Sequence, residues 1–546
     1  MKSKKRSISV SSNPAIVPSS AEHLLEPVLS TEAMRAADRR AIEEHGVPGC
    51  ELMERAGRTA CAFIEARFGE MKGRRVLVLA GKGNNGGDGL VVARILSERG
   101  ADVTAVTLAT EENTTEDTAA KLKALREVEG VIILPFTQME DVRALNPPEM
   151  IVDALLGVGT IGELREPVSS LARWINEQAA PVIAMDVPTG LNSDTGEAAE
   201  NTVRATATVA MGALKIGLLL NEGPALSGSV DVAEIGIPEA VLREEATAFR
   251  ATDAWVGAAL PRRAHDAHKY SSGRVLAVVG SRMFTGAAVL ATSACYRMGA
   301  GAVVCCTPES AQQAIDAHAL EVMVAAQKET DDGTLAIMAY DDIVSRLERS
   351  DAVLVGCGLG RSRETARLVQ ALLRRINGPA VIDADGLNAL AGRTEKLAEL
   401  SSGRMVLTPH MGEFKRLVED LTRDDMGHRG VNEADPLELV RTYATAWNVV
   451  LVLKGMPSVV GAPDGHVLIG PPGNPALATA GTGDVLAGSI AGLLAQGMKP
   501  EHAAVCALHV GTAAVERYSA TRGASSMMAS DLLTEIPFVL HERFSG

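Results

Sequence analysis

Short apolar runs recur along this chain at intervals a helix can fill, and most of them end in a turn rich in Gly, Asp, Asn or Pro. They fall at residues 75–80, 103–108, 131–134, 150–155, 181–185 and 207–210, then again near 275–279, 302–306, 352–355, 380–383, 404–407 and 449–453. Strand, helix and strand in alternation predict parallel strands joined by crossover helices. The stretch 31–68 carries helical spacing opened by Ser30 or Thr31 as cap, and 90–99 is helical and closed by Gly100. Between 236 and 264 charges, Pro and Gly mix before a fresh strand begins, which places a boundary near residue 250. A chain of 546 residues is also too long for one core, since single cores stop growing near ~250 to 300 residues. The fold class predicted is α/β, as two tandem three-layer domains over 28–245 and 255–540.

The formal charge of -15 excludes a general nucleic-acid binder, which needs a basic footprint, and aromatics at 3% leave little for stacking on bases. No apolar segment of signal-peptide length follows the basic, Ser/Pro-rich start, so residues 1–27 read as a disordered tail. The most apolar later stretch, 209–220, is interrupted by Gly212, Lys215 and Gly217 and is shorter than the ~20 residues of a membrane span. Seven cysteines in no metal-ligand spacing read as reduced, mostly buried thiols. A cytoplasmic protein without a membrane or nucleic-acid partner is expected.

In the first half, "AGKGNNGGDG" (80–89) follows a strand directly. Its glycines suit close backbone approach or positive φ, and N–H groups near Gly86 and Gly87 can face an anion at a helix start. Asn and Asp are surplus to a phosphate loop. Oxygens of Asn85, Asp153 and Thr189, each near the end of a strand, are able to surround a hard or alkali cation; a Gly-rich turn and a helix-capping Asp are the bland readings. "DVPTG" (186–190) and Lys215 lie at further strand ends, Lys215 reading alternatively as a snorkelling side chain.

In the second half, "ATAGTGDVLAGSIAGLLAQG" (478–497) has Gly481-Thr-Gly-Asp484 opening a small-residue helix. Freed N–H groups make an anion hole there, and Asp484 beside it is able to take a proton from a hydroxyl, the equipment for phosphoryl transfer to an alcohol. A capping Asp is the alternative.

"LVLAGKGNNGGDGLVVARIL", "VDALLGVGTIGE", "AMDVPTGLNSDTG" and "ALKIGLL" together resemble the YjeF N-terminal family, epimerases of hydrated nicotinamide nucleotides, NAD(P)HX. That resemblance implies that Asn84, Asn85, Gly86, Gly87 and Asp88, then Gly157, Val158, Gly159, Thr160, Ile161, Gly162 and Glu163, with Asp186, bind the hydrate. It implies potassium on Asn85, Asp153 and Thr189, with Asp186 favoured as the acid or base at C6.

"GRVLAVVGSRMFTGAAVLA", "VLVGCGLG", "VIDADGLNAL", "TPHMGEF" and "VLVLKGMPSVV", with "GTGD", are similar to the ribokinase-like superfamily and its NAD(P)HX dehydratase branch. The resemblance implies Lys454, Gly455, Met456, Pro457, Ser458 and Gly483 on ADP, its magnesium accompanying the nucleotide. It puts Ala287, Gly358, His410 and Asp484 on the hydrate, with Asp484 catalytic. His410 alone would read as a turn histidine, and Asp383 and Asp385 as helix caps or organisers of the nucleotide edge. The sequence departs from the pattern at Cys357, often Pro, and Glu234, commonly Asp. The expected partners are NAD(P)HX and ADP within a homo-oligomer. A vitamin or sugar kinase with an attached non-catalytic domain is the alternative.

Overall fold

The computed structural model describes residues 19–110, 113–401, 403–419 and 435–544. Contacts divide the chain into two compact units, Glu26–Phe249 and Arg250–Gly546 with the segment ending at Leu25.

In the first unit seven strands, β1 (Arg75–Ala80), β2 (Asp102–Thr107), β3 (Ile132–Pro135), β4 (Met150–Ala154), β5 (Val182–Met185), β6 (Ala207–Met211) and β7 (Ser229–Ala233), form one parallel sheet in the order β3-β2-β1-β4-β5-β6-β7. The order reverses between β1 and β4, and a crevice at the strands' carboxyl ends follows from that reversal. Period-2 alternation assigns the faces. Val76, Val78 and Ala80 join a core with α1 (Thr31–Glu43), α2 (Gly49–Phe68) and α3 (Asn84–Glu98), whereas Leu77 and Leu79 pack with Leu171 and Trp174 on the opposite face.

Two expectations are corrected here. Leu25–Leu29 is a strand, with Val28 and Leu29 fully buried and paired with Leu214 and Lys215, and Ser19–Leu24 is a 3-10 turn. The expected unstructured tail is therefore ordered from residue 19 onward, and residues 1–18 lie outside those described; five residues containing Pro27 are too short a signal for a strand. The helical stretch 31–68 is two helices, parted at Glu44–Pro48, the first capped by Ser30 Oγ as expected.

The second unit repeats the plan. Strands β8 (Arg274–Val278), β9 (Ala302–Pro308), β10 (Met323–Gln327), β11 (Ala352–Val355), β12 (Ala380–Ile382), β13 (Met405–Leu407) and β14 (Val450–Leu453) run parallel in the order β10-β9-β8-β11-β12-β13-β14. An antiparallel hairpin, β15 (Val459–Gly461) and β16 (Val467–Ile469), extends the β14 edge. Helices α4 (Thr285–Arg297) and α6 (Thr482–Ala495) pack closely: a Cβ at Gly488 would lie 2.0 Å from the carbonyl of Ala291. Small residues are what allow that approach. Among the described residues no helix is long and apolar enough to cross a membrane. All seven cysteines are free, and all but Cys50 are buried.

Candidate active sites

The glycine motif at 80–89 is mostly helix. α3 starts at Asn84, six residues before the apolar pattern begins, so only the turn before Asn84 is loop. None of its glycines has positive φ; they serve close approach. A Cβ on Gly81 would sit 1.8 Å from the carbonyl oxygen of Leu155, one on Gly86 2.1 Å from that of Gly81, and one on Gly89 2.4 Å from the Ala154 methyl. The α3 N-terminus is thereby pressed onto the β1–β4 crevice. Gly81→Ala is expected to destabilise this unit by about 1–3 kcal/mol or more, read as a lower thermal midpoint; Gly83→Ala, whose Cβ meets nothing within 4 Å, should cost less.

At the end of β4 the carboxylate of Asp153 is fully buried. Its Oδ1 accepts from Thr189 Oγ1 at 2.7 Å, and its Oδ2 from the Thr189 N–H at 2.9 Å. Burial pushes its pKa up to about 6, opposed by the Thr189 and Leu155 donors. Asn85 Nδ2 donates to the carbonyl of Leu156 at 2.8 Å, which fixes the amide and turns Oδ1 the other way. That oxygen is buried and accepts no hydrogen bond among the described residues. A buried acceptor left unpaired costs about 1–3 kcal/mol unless something electropositive meets it. Asn85, Thr189 and Asp153 are joined through Leu156, whose N–H donates to Thr189 Oγ1 at 3.0 Å. An oxygen-rich site with one orphaned acceptor fits an alkali cation.

A cleft of about 1060 Å³ opens beside this network. Asn84, Asn85, Asp88, the loop Gly157–Ile161, Glu163 and Asp186 line it. Gly86 and Gly87 are buried behind the helix surface, and Gly162 lies off the lining. Asp186 directly follows β5 with φ +67, a left-handed conformation few side chains accept. Its Oδ1 meets Lys215 Nζ at 2.5 Å and accepts from the Met211 N–H at 3.1 Å. Lys215 is fully buried, held on the short strand beside Leu25–Leu29. Asp38, from α1, also lines the cleft; burial raises its pKa to about 6, moderated by Lys215 and reinforced by Asp186. Asp88 is pushed well above the carboxylate range by burial, then by Asp186 and Asp38. The sequence reading omitted Asp38 because "MRAADRRAIEE" looks like a solvated charge face; the spacing of Met34, Asp38 and Ile42, all on the cleft, was the available signal.

In the second unit consecutive strand ends deliver a second cluster. Cys357 follows β11 by two residues, while Asp383, Thr408 and Lys454 follow β12, β13 and β14 by one. Asp383 Oδ1 accepts from Thr408 Oγ1 at 2.8 Å and from Lys454 Nζ at 2.9 Å. Burial opposes the charge on Lys454, yet Asp383 and Glu413 raise its pKa above the usual lysine value. Asp484 enters from the first turn of α6, whose cap, Gly481, is left-handed at φ +94. Burial and the neighbouring Asp383 raise its carboxyl to about 6, against Cys357 and Lys454. Ligand atoms of Cys357, Asp383 and Asp484 lie within 4.8 Å of one another.

The expected residues group around this cluster. A Cβ added to Gly483 would be 3.5 Å from Lys454 Nζ, and Gly358 abuts Ala287. His410 is exposed; it caps α5 (Met411–Val418), its Nδ1 accepting from Gly412 and Glu413 while Glu413 Oε2 accepts from the His410 N–H. Lys454 N–H donates to Pro409 O, bringing the 454–458 turn beside that cap. Asp385 holds the Gly360 N–H at 2.8 Å, and Ala384, between the two aspartates, has φ +48. Such a residue costs about 1–3 kcal/mol and gathers at functional sites. The exposed Phe284 beside Gly358 was also missed.

Two family models match, YjeF-related protein N-terminus over residues 49–217 and NAD(P)H-hydrate dehydratase over 275–538. The chain is 46% identical over 542 residues to the bifunctional NAD(P)H-hydrate repair enzyme Nnr of Salinibacter ruber, covering 96% of this chain and 98% of that one. It is 40% identical over 519 residues to the enzyme of that name from Moorella thermoacetica, covering 94% and 96%. A crystal structure of ADP/ATP-dependent NAD(P)H-hydrate dehydratase from Bacillus subtilis, co-crystallised with ATP and magnesium, matches at 30% identity over 54% of this chain and 98% of that one, with TM-score 0.45.

Proposed function

The chain belongs to the family of bifunctional NAD(P)H-hydrate repair enzymes, and from that premise we propose that it interconverts R- and S-NAD(P)HX and dehydrates the S form to NAD(P)H at the cost of ADP. Its setting is the cytoplasm, and it works as a homo-oligomer. The observation that carries the reading is the pair of carboxylate clusters, Asp186 with Lys215 and Asp484 with Asp383, one in each unit and each at the carboxyl ends of a parallel sheet.

In the epimerase reaction Asn84, Asn85, Asp88, Asp186 and the 157–163 loop hold the hydrate, with Gly86 and Gly87 acting through the packing of α3. Potassium on Asn85, Asp153 and Thr189 would supply fixed positive charge beside the substrate's phosphates. Asp186, oriented by Lys215 and the Met211 N–H, takes the C6 hydroxyl proton as the C6–N1 bond breaks to leave an aldehyde and the ring nitrogen takes up a proton; re-closure on the opposite face reverses both proton transfers and inverts C6.

In the dehydratase reaction Asp484 takes the proton of the C6 hydroxyl. The oxygen attacks the terminal phosphorus of ADP, and the bond to AMP breaks. The C6–O bond then breaks with release of phosphate, a proton leaves C5, and the C5–C6 double bond of NAD(P)H is restored. Hydroxide leaves poorly and phosphate well, which is why a nucleotide is consumed. The Gly483 turn and residues 454–458 bind the nucleotide; Ala287, Gly358 and His410 contact the hydrate. Magnesium entering with ADP would offset phosphate charge; the second oxygen of Asp383 and the Asp484 carboxylate fit it as hard donors.

One assay tests both activities: mixed R- and S-NADHX with ADP, followed by NADH absorbance to completion. Full recovery is expected. Arrest at the S fraction, after correction for spontaneous exchange, removes the epimerase, and no ADP-dependent recovery removes the dehydratase. The pH profile adds a check. Asp484 acts ionised, and its pKa is about 6, so dehydratase kcat/KM should be flat above about pH 7 and fall tenfold per pH unit below that pKa.

A further inference from the structure

We propose that Cys357, Asp383 and Asp484 form a binding site for a thiophilic divalent cation, zinc or cadmium, whose occupancy blocks the second unit's chemistry. Asp383 spends Oδ1 on Thr408 and Lys454, which leaves Oδ2 facing Cys357 Sγ at 4.0 Å. Asp383, Glu413 and Asp484 share one lysine, Lys454, in a desolvated place, a local surplus of negative charge. All three ligand atoms lie within 4.8 Å of one another. Zinc bonds of ~2.3 Å to sulfur and ~2.0–2.2 Å to oxygen need donor separations of about 3.5 Å in a tetrahedron. Small side-chain rotations close that difference, and water or a phosphate oxygen completes the fourth position.

The thiol decides which ion is taken. Magnesium demands hard oxygen donors in an octahedron, so Cys357 adds nothing to its affinity, whereas thiolate selects zinc and cadmium. On binding, the S–H bond breaks, the proton goes to solvent and a sulfur–metal bond forms. Three strand and helix ends hold the donors, so the site exists before the ion arrives.

Cadmium titration of the full chain, in a Cys50→Ser background that removes the exposed thiol, reads the site through thiolate-to-cadmium absorbance. One equivalent should produce the band, and Cys357→Ala should abolish it. In parallel, the zinc concentration that halves dehydration, taken against each variant's own zinc-free rate, should rise at least tenfold in C357A. No band, a band unchanged in C357A, or inhibition that does not shift would each overturn the proposal. The absorbance arm needs no substrate, so it is decided even if the chain proves not to dehydrate NAD(P)HX.

Discussion

Asp484→Asn is expected to lower ADP-dependent recovery of NADH from S-NADHX by about 10²- to 10⁴-fold, the usual contribution of a positioned base, while R/S exchange by the same chain continues at its original rate. Asparagine keeps the shape of the side chain at the first turn of α6 and removes its negative charge, and with it the capacity to accept a proton. It also relieves repulsion from Asp383, the largest charge acting on Asp484, so the thermal midpoint should hold or rise. A variant equally stable yet inactive separates chemistry from folding. NADH recovery at the unaltered rate would remove Asp484 from the mechanism. Loss of exchange as well would mean the variant acts on the chain as a whole.

Much of the architecture was legible because parallel strands buried on both faces leave continuous apolar runs, and those of β1, β4, β11 and β14 fall where they were expected. The strand ends and the glycine-rich helix start carried the polar residues, so Asp153, Asp186, Lys454 and Asp484 could be singled out. What was lost has specific causes. Asn and Gly are poor helix formers, so propensity started α3 at Leu90; packing of Gly86 and Gly89 against the strand ends overrides it. Three-residue strands such as β15 and β16 hold too few positions to show a period. Asp38 looked solvated because its burial comes from residues far along the chain. Cys357 registered only as a departure from a pattern, since its distance to Asp383 is set by the pairing of β11 with β12, which neither segment states alone.

Asp186→Asn is expected to slow R/S exchange by about 100-fold or more while ADP-dependent conversion of the S form is retained. The complication is that Asp186 is also half of a buried ion pair with Lys215, 2.5 Å away. Breaking such a pair costs about 3–5 kcal/mol because a charge is left uncompensated, so loss of exchange in the single variant could follow from a loosened cleft. Lys215→Met should destabilise the unit for the same reason. The double variant Asp186→Asn, Lys215→Met removes both charges together, and replacing a buried pair by neutral groups is often close to neutral for stability. Its thermal midpoint should therefore recover toward that of the original chain. If Asp186 exchanges the proton, R/S exchange stays lost in the double variant although the fold is restored. If the pair only holds the loop after β5 in its left-handed turn, exchange returns with stability, and the acid/base role passes to another carboxylate of the cleft, with Asp38 the first to test.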